Sequence, residues 1–596
     1  MSRRSAQSAA STTPLVDRRK GRRMMSNQVL TSFCFAVVVV VTSATMFVLV
    51  EGLPILGPDL NTCDPVIPAT GTATDCCFVH TSRPIKDFQF NLDLPVRIRR
   101  PAHKLDEDEV RKYERAVALM RALPPEDPRS FAAQVKYHCG ATAGAYNEFN
   151  SSQKMYMSAG WLLLPFHRWL MYFHERILAS LIGDDTFTVP YWAWDVQNEN
   201  NPAANSIPFY YTDRNSSLYN ENRSKIHQPP ARVDLAQPFG VHPTTNRDPE
   251  VQLQDNYYSM WRGMIGQVQT PENFYGAKIS LGDSREGFEV SEGVFGLGLH
   301  TAPHVWTGDT NNPGFEDMGA AYSAARDPLL YAHHCQVDRL WLKWKSLGGQ
   351  DFDDPDWLDT ELFFTDENAD MVRVNVRDSL NFDNFRITYE EVEADWLSYT
   401  PKSIRDINPK YAQSSSILRR FLRQVVTWVK YDYIAKALGS FLQKDKSEPN
   451  LFLGGTSRAT ATSRVPRPEV IVKSTEVSSV YDEVLVISGV VEKPFDATFL
   501  INMFLELPEA DENTPQHCVE FLGAVVVAAE GLADGTDRII TRKFTRAVGI
   551  RETLRILEIT HQPSVTVTFV PAWDPRYDNE ISVRVTDLKV ERRQAR

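Results

Sequence analysis

The stretch GLHTAPHVWTGD, Gly298–Asp309, sets His300 and His304 four residues apart, ahead of a tryptophan and a glycine turn. About thirty residues later LLYAHHCQVDRLW, Leu329–Trp341, carries His333 and His334 side by side. A chain with only 13 histidines places them this way for a reason. On a helix, positions i and i+4 project from one face. His300 and His304 can therefore aim both imidazoles at one ion, with His333 or His334 from the later helix as a third ligand. A lone histidine is more often solvated or satisfied in a core, but an HxxxH pair joined to a distant HH on another helix is a far stronger signal. Imidazole-rich sites suit copper, zinc, iron or nickel, and spacing alone does not choose the metal.

Working outward, both motifs sit in helical patterns. ARDPLLYAHHCQVDRLWLKWKSLGG has Pro328 near its start and a glycine pair at its end. WLLLPFHRWLMYFHERILASLIG reads as a second strong helix closed by Gly183, and DEDEVRKYERAVALMRAL as a third with acids in its first turn. Residues 195–250 are loop-like, dense in Asn, Pro and Ser. After about residue 445 the character changes. KDKSEPNLFLGGTSRATATSRVPRP reads as a linker, and beyond it EVIVKS, EVLVISGVV, ATFLINMFLEL, GAVVVAA, TVTFVPAW and ISVRVTDLKV read as strands. A chain of 596 residues exceeds one compact core. The expected fold is mainly α, a helical bundle holding the histidines, followed by a β-sandwich or jelly-roll. The expected divisions are a targeting segment at 1–50, the histidine domain at 51–400, a helical segment and linker at 401–468, and the β-rich domain at 469–596.

Net charge is −12 and no long basic stripe follows residue 30, which sets nucleic acid aside. The N-terminus differs. Arg3, Arg4, Arg18, Arg19, Lys20, Arg22 and Arg23 face one acid, Asp17, and an uncharged run from Val29 to Val50 follows. As a helix that run would span roughly 33 Å, enough to cross a bilayer core. It predicts either a cleaved signal or an anchor attaching the protein to a membrane through residues 29–50, and a secretory destination: extracellular, vacuolar or membrane-anchored. An Arg- and Ser-rich, acid-poor leader also fits a two-part plastid signal to the thylakoid lumen. Cys63, Cys76, Cys77 and Cys139 allow two disulfides, with three pairings open.

PFHRWLMYFHE, HTAPHVWTGD, YSAARDPLLYAHHCQVDRLW and YHCGATAGAY together resemble the plant polyphenol oxidases, of catechol oxidase and tyrosinase type. CDPVIPATGTATDCC, DWLDTELFFTDENADMVRVNVRD and FDATFLINMFLEL extend the resemblance from about Cys63 to the end of the chain. It implies a dicopper oxidase of small phenolic substrates that uses dioxygen and turns o-diphenols into o-quinones. By position His138 and His167 would hold the first copper, and His300, His304 and His334 the second, with His333 adjacent and non-ligating. The implied disulfides are Cys63–Cys77 and Cys76–Cys139. The C-terminal β domain would shield the site until cut away within 445–468.

The chain departs from the family pattern at four positions. The middle histidine of the first copper is Ser158, and the cysteine that joins it by a thioether is Thr142. The glutamate four residues before His300, thought to hold a water, is Gly296, which would disfavour hydroxylation of monophenols. The bulky residue gating the second copper is Ala321. Tyr156, Met155 and Met157 lie near Ser158, and His174 sits on the helix outside the ligand set. Two readings follow: an o-diphenol oxidase, weakened by loss of a ligand, with two coppers if the first site is competent; or an inactive or repurposed descendant that binds one copper at the second site.

Overall fold

The computed structural model describes residues 52–412 and 451–594, apart from 69–70, 199–200, 237–247, 284–291, 310, 313–314, 455–459, 469–480, 495–498, 528–538 and 574–576. Helix α1, Glu107–Ala122, opens on Asp106, whose carboxylate accepts from the backbone of Asp108 and Glu109 while Glu109 returns the bond. Its buried side chains, Val110, Tyr113, Ala116, Val117 and Met120, fall at helical spacing. Helix α2, Phe131–Thr142, is capped by Ser130. Helix α3, Leu163–Ile182, is buried on every side from Leu163 to Ala179 and ends at Gly183, which takes the left-handed conformation a closing turn needs. Helices α4, Pro249–Trp261, and α5, Thr301–Thr307, follow, and α6, Leu329–Ser346, packs beside α3.

The contact between α3 and α6 is held by buried charge. Arg99 donates to Glu175 of α3 at 2.8 Å and to Asp338 of α6 at 3.0 Å. Arg168 of α3 donates to the same Asp338 at 2.5 Å and lies over the Trp341 ring. Arg168 adjoins His167, and Asp338 is one turn beyond His334. The network therefore sets the spacing of those two histidines. Each charge in it is paired, as burial demands.

Beyond the helices lies a two-sheet sandwich. Its strands are β1 Leu451–Gly454, β2 Ala461–Pro466, β3 Tyr481–Pro494, β4 Phe499–Leu505, β5 Phe521–Val527, β6 Ile539–Gly549, β7 Ser564–Pro571 and β8 Ser582–Gln594. One sheet runs β5-β4-β7-β2 and the other β6-β3-β8-β1, all pairs antiparallel. Inward residues of both sheets, among them Leu485, Ile487, Ile501, Met503, Val567 and Val585, share one core. A separate apolar cluster joins Tyr258, Trp261 and Ile404 of the helical part to Phe504, Leu507 and Phe521 of the sandwich.

Several expectations change. The chain as a whole is mixed α and β rather than mainly α, because the sandwich adds long strands and the helical part contains extended loops. The stretch read as linker contains β1 and β2, which pair with β8 and β7. The β domain therefore begins before residue 469. EVIVKS and most of the helical segment after residue 412 lie outside the described residues, as do residues 29–50. Among the described residues no helix is long and apolar enough to cross a membrane.

Candidate metal centre

Six histidines converge from four elements. His138 lies one turn before the end of α2, and His167 opens the second turn of α3. His300 closes a wide π-type turn, Gly296–His300, that runs straight into α5 with His304, while His333 and His334 come from α6. Donor nitrogens of His300, His304, His333 and His334 lie within 4.8 Å of one another. The His167 ring stacks on His334 at 3.6 Å between centroids and stands 5.9 Å from His138. A cavity of about 130 Å³ lies among them, lined by His138, Ser158, His167, Glu292, His300, His304, Ala321 and His334.

Backbone carbonyls set the ring orientations. His167 donates through Nδ1 to Leu163 O at 2.9 Å, and His304 through Nδ1 to Met318 O at 2.8 Å. Such bonds fix the tautomer and leave Nε2 free to ligate. Among the described residues His167 Nε2, His138 Nδ1 and both ring nitrogens of His334 are buried without a hydrogen-bond partner. Buried polar atoms rarely stay unsatisfied unless something else fills the role. Burial, aided by the neighbouring imidazoles, holds His167, His300 and His334 well below the ordinary histidine range; burial with a contribution from His304 brings His138 down to about 3, and burial brings His304 down to about 4. These rings are therefore neutral near pH 7 with lone pairs exposed, the state a metal requires. The donor set suits copper.

The remaining sequence-predicted residues fall out as follows. His333 is brought into the second group, but its Nδ1 accepts from Trp194 Nε1 at 3.1 Å. His174 stacks on Tyr331 at 3.6 Å and does not line the cavity. Met155 and Met157 belong to the apolar core. The single Thr142 hydroxyl proton is directed to His138 O at 2.8 Å, with Ala321 O also within reach at 3.3 Å. Both disulfides, Cys63–Cys77 and Cys76–Cys139, are formed, and the second ties the N-terminal loops to α2 beside His138. A Cβ on Gly140 would come within 2.4 Å of Cys76 O, so glycine permits this close approach. Sequence reasoning missed Glu292. Its signal was an acid one turn ahead of Gly296 and two ahead of His300.

The sandwich abuts the turn that carries His300. Arg546 of β6 donates to Glu292 O at 2.6 Å, Tyr258 to Phe521 O at 2.6 Å, and Asn273 to Asp482 of β3 at 3.1 Å. Leu297, Gly298 and Ala302 face Phe521, Val526 and Arg546 across a narrow gap.

Known proteins match this arrangement along the chain. Residues 128–347 match the common central domain of tyrosinase, 351–402 the polyphenol oxidase middle domain, and 457–592 the chloroplastic polyphenol oxidase C-terminal domain. The chain is 40% identical to aureusidin synthase of Antirrhinum majus over 423 residues, covering 67% of this chain and 72% of that protein. It is 34% identical to a chloroplastic polyphenol oxidase of Malus domestica over 552 residues, covering 90% and 84%. The solved structure of a latent aurone synthase, a polyphenol oxidase from natural source, superposes with a TM-score of 0.75 at 30% identity, covering 91% of this chain and all of that one.

Proposed function

The chain belongs to the plant polyphenol oxidase family, and we propose that it is a copper-dependent oxidase that converts o-diphenols to o-quinones and reduces dioxygen to water. The observation that carries this reading is the convergence of neutral, backbone-oriented imidazoles with unsatisfied nitrogens on one cavity. His300, His304 and His334 would hold one copper, and His138 and His167 a second. Bound there, copper would supply one-electron exchange between the phenol and dioxygen. The chain's own residues do the rest. Leu163 O and Met318 O keep two rings aimed. Ala321, small and on the cavity wall, would leave room for an aromatic ring.

Ser158 supports the second reading. It puts a hydroxyl where the first group needs a third imidazole, and a hydroxyl is a poor neutral ligand. A protein that fills only the second group would bind copper without oxidising phenols. Copper stoichiometry, anomalous diffraction and oxygen uptake with catechol separate the two. Oxygen uptake with both groups filled supports the oxidase. A single ion at His300, His304 and His334 with no uptake supports the binding protein.

The chloroplastic naming of the apple relative and of the C-terminal family model favours the thylakoid lumen over the secretory route. Import into isolated chloroplasts with processing tests it; import into microsomes alone would reverse it. The sandwich would act as a shield, supported by its contacts on the His300 turn. Limited proteolysis between the two parts should raise oxidase activity, and unchanged activity after clean cleavage would argue for a purely structural domain.

A further inference from the structure

Glu292 is, among the described residues, the one acid that lines the histidine cavity. Its backbone bridges to Gly276 on one side and accepts from Arg546 on the other. Its carboxylate Oε2 is fully buried and has no hydrogen-bond partner among the described residues. The position depends on Gly296. A Cβ there would stand 3.1 Å from Glu292 Oε2 and 3.4 Å from Glu292 Cβ, so a larger residue would press on the carboxylate. Nearby Thr301 already donates to Gly296 O at 2.8 Å and is not available to Glu292. Burial raises the Glu292 carboxyl to about 7 against the opposing charge of Arg546. A buried acceptor left empty is costly, and a ligand that brings a hydroxyl donor removes the cost.

We infer that Glu292 is a substrate-positioning residue, whose Oε2 accepts a hydrogen bond from a phenolic hydroxyl lodged in the histidine cavity. This deepens the phenol-oxidase reading and rests on it. The same carboxylate makes the cavity selective: neutral phenols that donate are favoured, and aromatic carboxylates that carry negative charge are disfavoured.

Calorimetric titration of the full chain with two probes tests it. Resorcinol has phenolic hydroxyls but cannot become an o-quinone, and benzoate has the ring with a carboxylate instead. Resorcinol should bind wild type more tightly than benzoate. Measured at about pH 8.5, where the carboxylate is ionised, Glu292→Ala should weaken resorcinol about 10- to 100-fold, as expected for a lost bond to a charged acceptor, and should strengthen benzoate. Glu292→Gln, which keeps the shape and an accepting oxygen but not the charge, should hold resorcinol more tightly than Glu292→Ala does and bind benzoate more tightly than wild type. Circular dichroism checks that both variants fold. Resorcinol affinity unchanged in Glu292→Ala, both probes weakened equally, or no resorcinol binding to wild type would overturn the inference. If the copper-loaded wild type oxidises no o-diphenol while Glu292→Ala still loses resorcinol selectively, the oxidase reading falls and the role of Glu292 stands. If wild type is active and resorcinol affinity is unchanged in Glu292→Ala, the oxidase reading stands and the role of Glu292 falls.

Discussion

His167 and His334 sit on neighbouring helices with rings 3.6 Å apart, yet they belong to differently furnished halves of one centre. The half around His334 draws on His300 and His304, whose spacing along a continuous helical run brings both rings to one side. The half around His167 has His138 across from it and Ser158 on the wall between. The first half takes two of its three rings from one local run, and only His334 comes from another helix. The second draws its two histidines from separate elements, α2 and α3. Thr142 and Ala321 belong to the same thinned region, where the Thr142 hydroxyl lies within reach of both backbones.

His334→Ala puts the contrast between the halves under the greatest load. It should reduce copper affinity by more than about 100-fold, since even indirect losses around a metal typically cost 10- to 100-fold. Chelator competition measures it, and retention of copper at wild-type affinity would show that the well-furnished half is not the binding half. Ser158→His runs the other way. It should tighten copper binding at His138 and His167 by about tenfold or more and raise oxygen uptake with catechol by a similar factor. An unchanged affinity by chelator competition would mean that the wall at residue 158 cannot admit an imidazole.

A smaller effect should come from Cys76→Ser with Cys139→Ser. Loss of a native disulfide costs about 2–5 kcal/mol, read by urea unfolding. Because that bridge is anchored beside His138, copper held at His300, His304 and His334 should survive it.

The smallest concerns the sandwich that leans on the His300 turn. Asp482 of β3 is buried, and burial raises its carboxyl to about 7. Its folded value lies above its unfolded one, so its contribution is fully present below about pH 4 and is lost as pH rises through about 7. Asp482→Asn should flatten the fall in thermal stability across that window, by on the order of 1–4 kcal/mol. A stability profile identical to wild type would show that Asp482 does not set this dependence.

Helices α1, α3 and α6 were legible because their apolar residues recur at helical spacing, with acids opening α1 and Gly183 closing α3, whereas α2, which carries His138, was not read as a helix from the sequence. The disulfide pairing was legible through resemblance alone, since four cysteines in one region leave three pairings open. Strands β1 and β2 were not legible. Both are edge strands, and in β2 exposed polar residues such as Thr462 and Arg464 alternate with more buried ones, so the stretch resembles a linker in composition. Glu292 escaped because it stands just before the helix begins. Only the folded turn shows that its carboxylate reaches the space beside Gly296.

The lattice of Arg99, Glu175, Arg168 and Asp338 gives the centre a floor that owes nothing to any ion. Stripping the metal should therefore leave the imidazoles standing at their stations, with little reorganisation to undo on refilling. Depletion and reloading would then be a reversible cycle rather than a slide toward unfolding.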